Sequence, residues 1–271
     1  VTLLAIDIGN TATSLGLYRN QRWERVLRIR TIRAGTPDEV SCLLSDLFPS
    51  LRGGKSNLNG AIVSSVVPHL NWVYEGGLKN AFDLKPLLVK PTLDFGLRWG
   101  SVLIDQVGVD RLVNSAAAFQ IYGGPVIVVD LGTATTFDLI SPEGIYLGGA
   151  IAPGVFTSAE ALFARAAQLG EVRIEPPSKV IGTTTGDCIR AGLFYGSIGG
   201  VDEIVRRMAK EAKVHPKVVA TGGASRWVAQ GSTTIEEVAP HLTLDGLRII
   251  YNRAENSKNH QIFKKKADNG K

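Results

Sequence analysis

The chain has 271 residues, 44% of them apolar and 20% charged, which is the composition of a globular protein long enough for one large domain or two moderate ones. No run of about 18 uncharged apolar residues occurs, Cys42 and Cys188 are too few for a disulfide framework, and His69, His215, His241 and His260 share no metal-ligand spacing. The formal net charge of +5 includes the run Lys264-Lys265-Lys266, so a basic tail accounts for it better than a nucleic-acid surface, and no zinc-finger or RNA-recognition signature is present.

The N-terminus offers no charged leader with an apolar segment and cleavage site, so a cytoplasmic protein without membrane contact is expected. Leu3 to Ile8 reads as a buried strand that runs into a polar turn, Gly9-Asn10-Thr11, and back along a second strand. Tyr18 to Gln21 forms the next turn, and Trp23 to Arg30 the return strand. Thr36-Pro37-Asp38-Glu39 has the form of a helix start, with Thr36 as cap, Pro37 at the first position and Glu39 at the third; the helix runs to about Leu47.

Gly53-Gly54-Lys55-Ser56 can be mistaken for a P-loop. The glycine that a Walker A motif needs is Pro49 here, and the flanking strand and helix are missing, so that reading is rejected. Ala61 to Val67 is a strand before a proline turn, and Leu87-Leu88-Val89 a further short strand. Asp110, or the residue before it, opens a helix with an alanine-rich face. Asp110 reads either as a simple cap with Arg111 on the surface, or as a carboxylate that takes a hydroxyl proton beside a guanidinium that holds an anion.

Gly123-Gly124-Pro125 is a natural junction, and Val126 to Leu131 then repeats the first strand and turn. At constant offset Asp7 falls on Asp130, Ile8 on Leu131, Gly9 on Gly132, Asn10 on Thr133 and Thr13 on Thr136, the mark of an internal repeat. Each turn reads as a hairpin tip, and two such tips could hold a phosphate chain; ordinary β-turns are the plain alternative for either alone. Gly144 to Gly154 is a glycine-rich strand and loop, Val155 to Leu169 is helical by composition, and Ile181 to Asp187 is a polar loop. Helical runs follow at Cys188 to Gly199 and Val201 to Lys213. Val218 to Thr221 leads into the turn Gly222-Gly223, Leu244 to Tyr251 forms a last short element, and the basic tail from 256 is expected to be disordered.

Asp-Ile-Gly-Asn-Thr at 7–11, Ser-Ser-Val-Val-Pro at 64–68, Gly-Val-Asp-Arg at 108–111, Asp-Leu-Gly-Thr-Ala-Thr-Thr at 130–136, Gly-Gly-Ala-Ile-Ala-Pro-Gly at 148–154 and Thr-Gly-Gly at 221–223 together resemble type III pantothenate kinase. The resemblance implies an α/β fold of two duplicated ribonuclease-H-like halves, as in the acetate and sugar kinase, Hsc70 and actin superfamily, with a nucleotide cleft between them. The halves are expected at 1–122 and 123–255, with the tail at 256–271. It also implies a homodimer and the transfer of the ATP γ-phosphoryl group to pantothenate, giving 4′-phosphopantothenate for coenzyme A synthesis.

By the same resemblance Asp7, Ile8, Gly9, Asn10, Thr11, Ala12, Thr13 and Ser14 embrace the ATP phosphates, Asp7 near Mg2+, with Thr133, Gly222 and Gly223 completing the ATP set. Gly108, Val109, Asp110, Arg111 and Thr185 bind pantothenate, Asp110 is the general base, and Asp130 holds a monovalent cation, K+ or NH4+. Many relatives carry a tyrosine and a proline before Gly-x-Asp-Arg, which Gly100 to Val107 lacks, and their Gly-Lys-Asn-Thr loop is Gly182-Thr183-Thr184-Thr185 here. A kinase of the same superfamily with another hydroxylated substrate and a non-catalytic transcriptional accessory factor are the alternatives.

Overall fold

Leu3–Ile8 is apolar at every position except Asp7, and such a strand is stable only where both its faces are covered. The computed structural model describes residues 2–51, 58–165 and 172–268, and in it this segment is β1, the middle strand of a five-stranded sheet. The other elements, in chain order, are β2 (Ala12–Arg19), β3 (Arg22–Arg30), α1 (Pro37–Leu47), β4 (Gly60–Ser65), α2 (Leu70–Phe82), β5 (Leu87–Leu88), β6 (Arg98–Trp99), α3 (Val109–Tyr122), β7 (Val126–Leu131), β8 (Ala134–Ile140), β9 (Ile145–Pro153), α4 (Val155–Arg165), α5 (Thr185–Ala212), β10 (Lys217–Thr221), α6 (Ser225–Ala229), β11 (Glu237–Val238) and α7 (Leu242–Asp268).

The first sheet has the order β3-β2-β1-β4-β5 and the second β11-β10-β7-β8-β9-β6. In the first, β1 pairs antiparallel with β2 and parallel with β4; in the second, β7 pairs antiparallel with β8 and parallel with β10. Apart from the added β6, the two sheets are one topology built twice, as the repeat requires.

The chain divides into two compact units, Val1–Gly96 with Leu103–Ala117 and Thr243–Lys271, and Leu97–Val102 with Ala118–Leu242. This differs from a division at residue 123 in the place of the C-terminal helix, which belongs to the first unit, and of residues 97–102 and 118–122, which belong to the second. In the first unit the side chains of Ile6, Ile8, Leu15 and Leu17 pack on Val40 and Leu44 of α1 and on Leu70, Val73 and Leu78 of α2. On the other face α7 lies close to the strands: a Cβ on Gly16 would stand 2.9 Å from Leu244, and Trp23 Nε1 donates to Asp245 at 3.0 Å. Arg253 holds Asp94 through a two-nitrogen contact. In the second unit Ile127, Val129, Phe137 and Leu139 pack on Ile198, Val201 and Val205 of α5.

The helix expected from Thr36 to Leu47 forms with its full capping box, Thr36 Oγ1 accepting from Glu39 N and the Glu39 carboxylate accepting from Thr36 N at 2.8 Å. Three expectations change. The two helical runs after residue 187 are one helix, α5, in which five glycines fail to break the pattern. Leu244–Tyr251 is not a short element but the start of α7, which continues helical through Asp268 where disorder is expected; residues 269–271 lie outside the described residues. The short strand at 87–89 covers only Leu87 and Leu88. The Gly53–Ser56 stretch and residues 166–169 of the predicted helix after Val155 also lie outside the described residues.

Candidate active site

Each unit carries its signature residues at the C-terminal end of its middle strand, where the tip of the first hairpin meets the loops that follow. In the first unit Gly9 N donates to Ala12 O at 3.0 Å, closing a two-residue tip of Asn10 and Thr11. Three donors from the segment after β3 hold its carbonyls. Thr31 N reaches Thr11 O at 3.0 Å, Thr31 Oγ1 reaches Gly9 O at 2.8 Å, and Arg33 reaches Asn10 O at 3.1 Å. Carbonyls engaged in this way are turned away from an incoming polyanion, which favours a phosphate at the tip.

The second tip is one residue shorter. Gly132 N donates to Ala134 O at 3.0 Å, and the pairing puts Thr136 opposite Asp130 and Thr135 opposite Leu131. In the first hairpin Ser14 lies opposite Asp7 and Thr13 opposite Ile8. The constant-offset overlay of Thr13 on Thr136 therefore slips by one on the return strand: Thr13, fully buried and bonded to Thr31 Oγ1 at 3.0 Å, corresponds in space to buried Thr135, and Ser14 to Thr136. A pairwise sequence match has no information on loop length when both loops are short and polar.

Two main-chain donors and one hydroxyl brace the second tip. Gly154 N donates to Thr133 O at 3.1 Å, Ala224 N to Leu131 O at 3.1 Å, and Thr157 Oγ1 to Thr133 O at 2.7 Å. A Cβ on Gly154 would overlap Gly132 O and sit 2.6 Å from Thr133 O; one on Gly222, whose φ is +88°, would overlap Asp130 Oδ1 and sit 2.7 Å from Leu131 O. The glycines at 154 and 222 are thus required by close approach, and at 222 also by a left-handed backbone. The structure brings together the expected residues Asp130, Thr133 and Gly222, while Gly223 is exposed on the same turn.

In the first unit Val109 and Asp110 open α3, so the sequence places the start of this helix correctly. Asp110 Oδ1 accepts from Arg111 N at 2.9 Å, and a Cβ on Gly108 would stand 2.5 Å from that same oxygen. Glycine at 108 leaves room for the carboxylate to fold back over the helix start. Burial pushes the Asp110 carboxyl above its ordinary range, and the Arg111 amide and charge reverse only part of this. A carboxyl so placed is a better proton acceptor than a solvated one.

Thr185 is exposed at the first position of α5, next to Thr184, which caps the helix by accepting from Asp187 N at 3.2 Å. A Cβ on Gly182 would stand 2.5 Å from Cys188 N, so this loop folds tightly onto the helix it precedes.

Sequence reasoning assigned Ser14 to the ATP set but did not see that hydroxyls flank each acidic residue on both sides, and it gave Ser64 no role. Asp7 lies between Ser14 on β2 and Ser64 on β4, and Asp130 between Thr136 on β8 and Thr221 on β10. The signal was available in the motifs Ser-Ser-Val-Val-Pro and Thr-Gly-Gly, but the pairing was needed to show it. It also missed the brace from Thr31 and Arg33, whose register depends on the length of the β2–β3 hairpin.

The family model for type III pantothenate kinase matches residues 3–207. A protein named type III pantothenate kinase from Geobacter sulfurreducens is 45% identical over 251 residues, covering 93% of this chain and 98% of its own. One of the same name from Koribacter versatilis is 43% identical over 265 residues, covering 94% and 97%. Among solved structures, a Campylobacter jejuni protein described as a conserved Baf family transcriptional activator superposes with a TM-score of 0.58 at 20% identity, over 93% of this chain and 99% of that one. Component A of (R)-2-hydroxyglutaryl-CoA dehydratase from Acidaminococcus fermentans gives 0.55 at 13% identity, over 91% and 95%. At these identities the structures speak for the fold alone, a mixed α/β chain with the same course over more than nine-tenths of its length.

Proposed function

The chain belongs to the type III pantothenate kinase family, and we infer from this, and from the partly buried carboxyl at the start of α3, how its residues divide the work of its reaction. That reaction is ATP-dependent phosphorylation of pantothenate, giving 4′-phosphopantothenate for coenzyme A synthesis. Phosphoryl transfer asks a protein mainly for positioning and charge stabilisation. Asp110 is assigned the general base, which takes the proton of the pantothenate hydroxyl as it attacks the γ-phosphorus. The observation that carries this is its burial with a raised pKa in a space that only glycine at 108 leaves open.

Arg111 is assigned to the pantothenate carboxylate, with Gly108, Val109 and Thr185 lining the substrate. Residues 7–14 are assigned to the ATP phosphates, Thr133 to a phosphate as well, and Gly222 and Gly223 to the adenosine. The family acts with ATP and a divalent metal; we assign Mg2+ to Asp7 and K+ or NH4+ to Asp130. Among the described residues no three His, Cys, Asp or Glu gather to hold a metal, so a divalent ion held by Asp7 would need phosphate oxygens and water for the rest of its shell. The fit is supported by a buried hydroxyl beside Asp7, that of Ser64, which has no hydrogen-bond partner among the described residues. When bound, the cation neutralises charge on the phosphates.

The test is ADP release with ATP, Mg2+ and K+, with and without pantothenate. Release that requires both pantothenate and Asp110 is expected, with Arg111→Lys raising the pantothenate KM because a bidentate fork is lost. Release without pantothenate dependence would move the assignment to another hydroxylated substrate.

A homodimer through the second unit is part of the same proposal. Its support is apolar surface there, with Ile181 81% and Ile151 65% exposed, and β9, which past Tyr146 has no second strand neighbour among the described residues. Light scattering should give twice the chain mass; a monomer that is fully active would overturn it. No helix of the described residues is long and apolar enough to cross a membrane, and a cytoplasmic location is proposed with the kinase role.

A further inference from the structure

A carboxylate flanked by a hydroxyl on each neighbouring strand occurs twice, at Ser14-Asp7-Ser64 and at Thr136-Asp130-Thr221. Cα partners on adjacent strands send their side chains to the same face of the sheet, so each row presents hydroxyl, carboxylate, hydroxyl in line. The strand neighbours of Ser64 are apolar except for Ser65, yet Ser64 is fully buried and its Oγ has no hydrogen-bond partner among the described residues. A buried hydroxyl without a partner costs on the order of 1–3 kcal/mol relative to a satisfied one. An alanine would fill the position at less cost if packing alone decided it.

We propose that Ser64 is a positioning residue for the divalent cation at Asp7, its Oγ accepting a hydrogen bond from a water in the cation's shell. The inference rests on the kinase reading and adds to it a residue that the motif roles leave without one. Mg2+ held by a single carboxylate and phosphate oxygens keeps several waters, and each water has protons that need acceptors. At Asp7 the ready acceptors in the row are Ser14, partly exposed on the hairpin, and Ser64, buried on the parallel strand. Ser64 is the one fixed by burial, and a fixed acceptor would select one orientation of the hydrated ion.

The test compares the wild-type chain with Ser64→Ala by calorimetric titration of ATP, with Mg2+ and without it, alongside thermal melting of the unliganded proteins. The expected result has three parts. The gain in ATP affinity that Mg2+ confers falls about tenfold in the variant, the size usual for loss of a partner behind a metal's ligands. ATP affinity without metal stays the same. The unliganded variant melts at the wild-type temperature or above, because a stranded hydroxyl has been removed. An undiminished Mg2+ gain in Ser64→Ala overturns the proposal. So does equal weakening with and without Mg2+ accompanied by a lower melting temperature, since that is the signature of a packing role. If the wild-type chain itself shows no Mg2+-dependent gain, the assignment of the cation to Asp7 fails, which is a different failure from that of Ser64.

Discussion

The two hairpin tips start from nearly the same sequence and are held in different ways. The first is fixed mainly by side chains, with the Thr31 hydroxyl and Arg33 bonding the carbonyls of Gly9 and Asn10 beside one backbone bond from Thr31 N to Thr11 O. The second is fixed mainly by backbone, with Gly154 and Ala224 bonding Thr133 and Leu131 beside one hydroxyl bond from Thr157, while glycine at 154 and 222 lets the chains touch. The difference teaches that the repeated Asp-x-Gly pattern specifies a strand end and a tight turn, whereas the loop length and the donors left at the tip are set by whatever packs around it. Side-chain bracing can be tuned or released by one substitution. Backbone bracing tolerates no Cβ.

The comparison can be broken at several points. The largest effect is expected at a carboxyl of the first unit: Asp110→Asn should lower kcat by roughly 100- to 10,000-fold with ATP affinity nearly intact, as for a positioned base. Because burial raises the Asp110 pKa, the base is protonated at a higher pH than an ordinary aspartate, and activity should fall on the acid side above the usual carboxylate range. A kcat unchanged in the variant removes Asp110 from the role.

Next comes the backbone brace. Gly154→Ala should displace the 132–133 backbone and raise the ATP KM about 10- to 100-fold, while Thr31→Val, which removes one hydroxyl bond from the other tip, should raise it less than tenfold. Equal effects would mean that the two tips are held alike.

The acidic residues should separate by cation. Asp7→Asn is expected to shift the Mg2+ dependence of the rate by about tenfold and leave the K+ dependence alone, and Asp130→Asn to do the reverse. Titrating each ion at saturating levels of the other reads this directly, and a shared response in both variants would undo the assignment.

The smallest expected effect concerns stability of the second unit alone. Asp202 is buried, which works against its charge, but hydrogen bonds from Ser232 Oγ, the amide and hydroxyl of Thr233, and the Thr234 hydroxyl outweigh burial and hold its carboxyl well below the usual range. Its pKa is lower folded than unfolded, so its contribution is complete above the unfolded value of about 4 and is lost as pH falls through the folded one. Asp202→Asn should cost about 2 kcal/mol at neutral pH, because it exchanges an acceptor of several bonds for an amide that can satisfy fewer. Hydrogen exchange should show faster opening of α5 and the 232–234 loop with β1 and β2 unaffected; faster exchange throughout would mean that the units do not open separately.

Much of the fold was legible because its signals are local. The Thr36 capping box, the apolar strands ending in Asp, and the helix opening at Asp110 depend on residues within four or five positions of each other, and all three form as read. Family membership was legible too, from motifs whose order along the chain is more specific than any one of them.

What the sequence could not supply has a common physical origin. The one-residue slip between the hairpins is decided by contacts with residues 31, 33, 154 and 224, the last of them more than 90 residues from the tip it braces. The docking of α7 on the first sheet joins residues 222 positions apart, Trp23 and Asp245, and moves the C-terminal helix out of the half that the repeat would assign it to. The hydroxyl rows beside Asp7 and Asp130 exist only after strands are paired, since Ser64 and Thr221 have no local relation to the residues they flank. By itself the sequence determined the elements, the duplication and the chemistry of each motif, because these follow from side-chain pattern over short spans. Only the tertiary structure decided register, the place of α7 and which hydroxyl stands beside which carboxylate, because those are settled by packing among segments that the chain brings together from far apart.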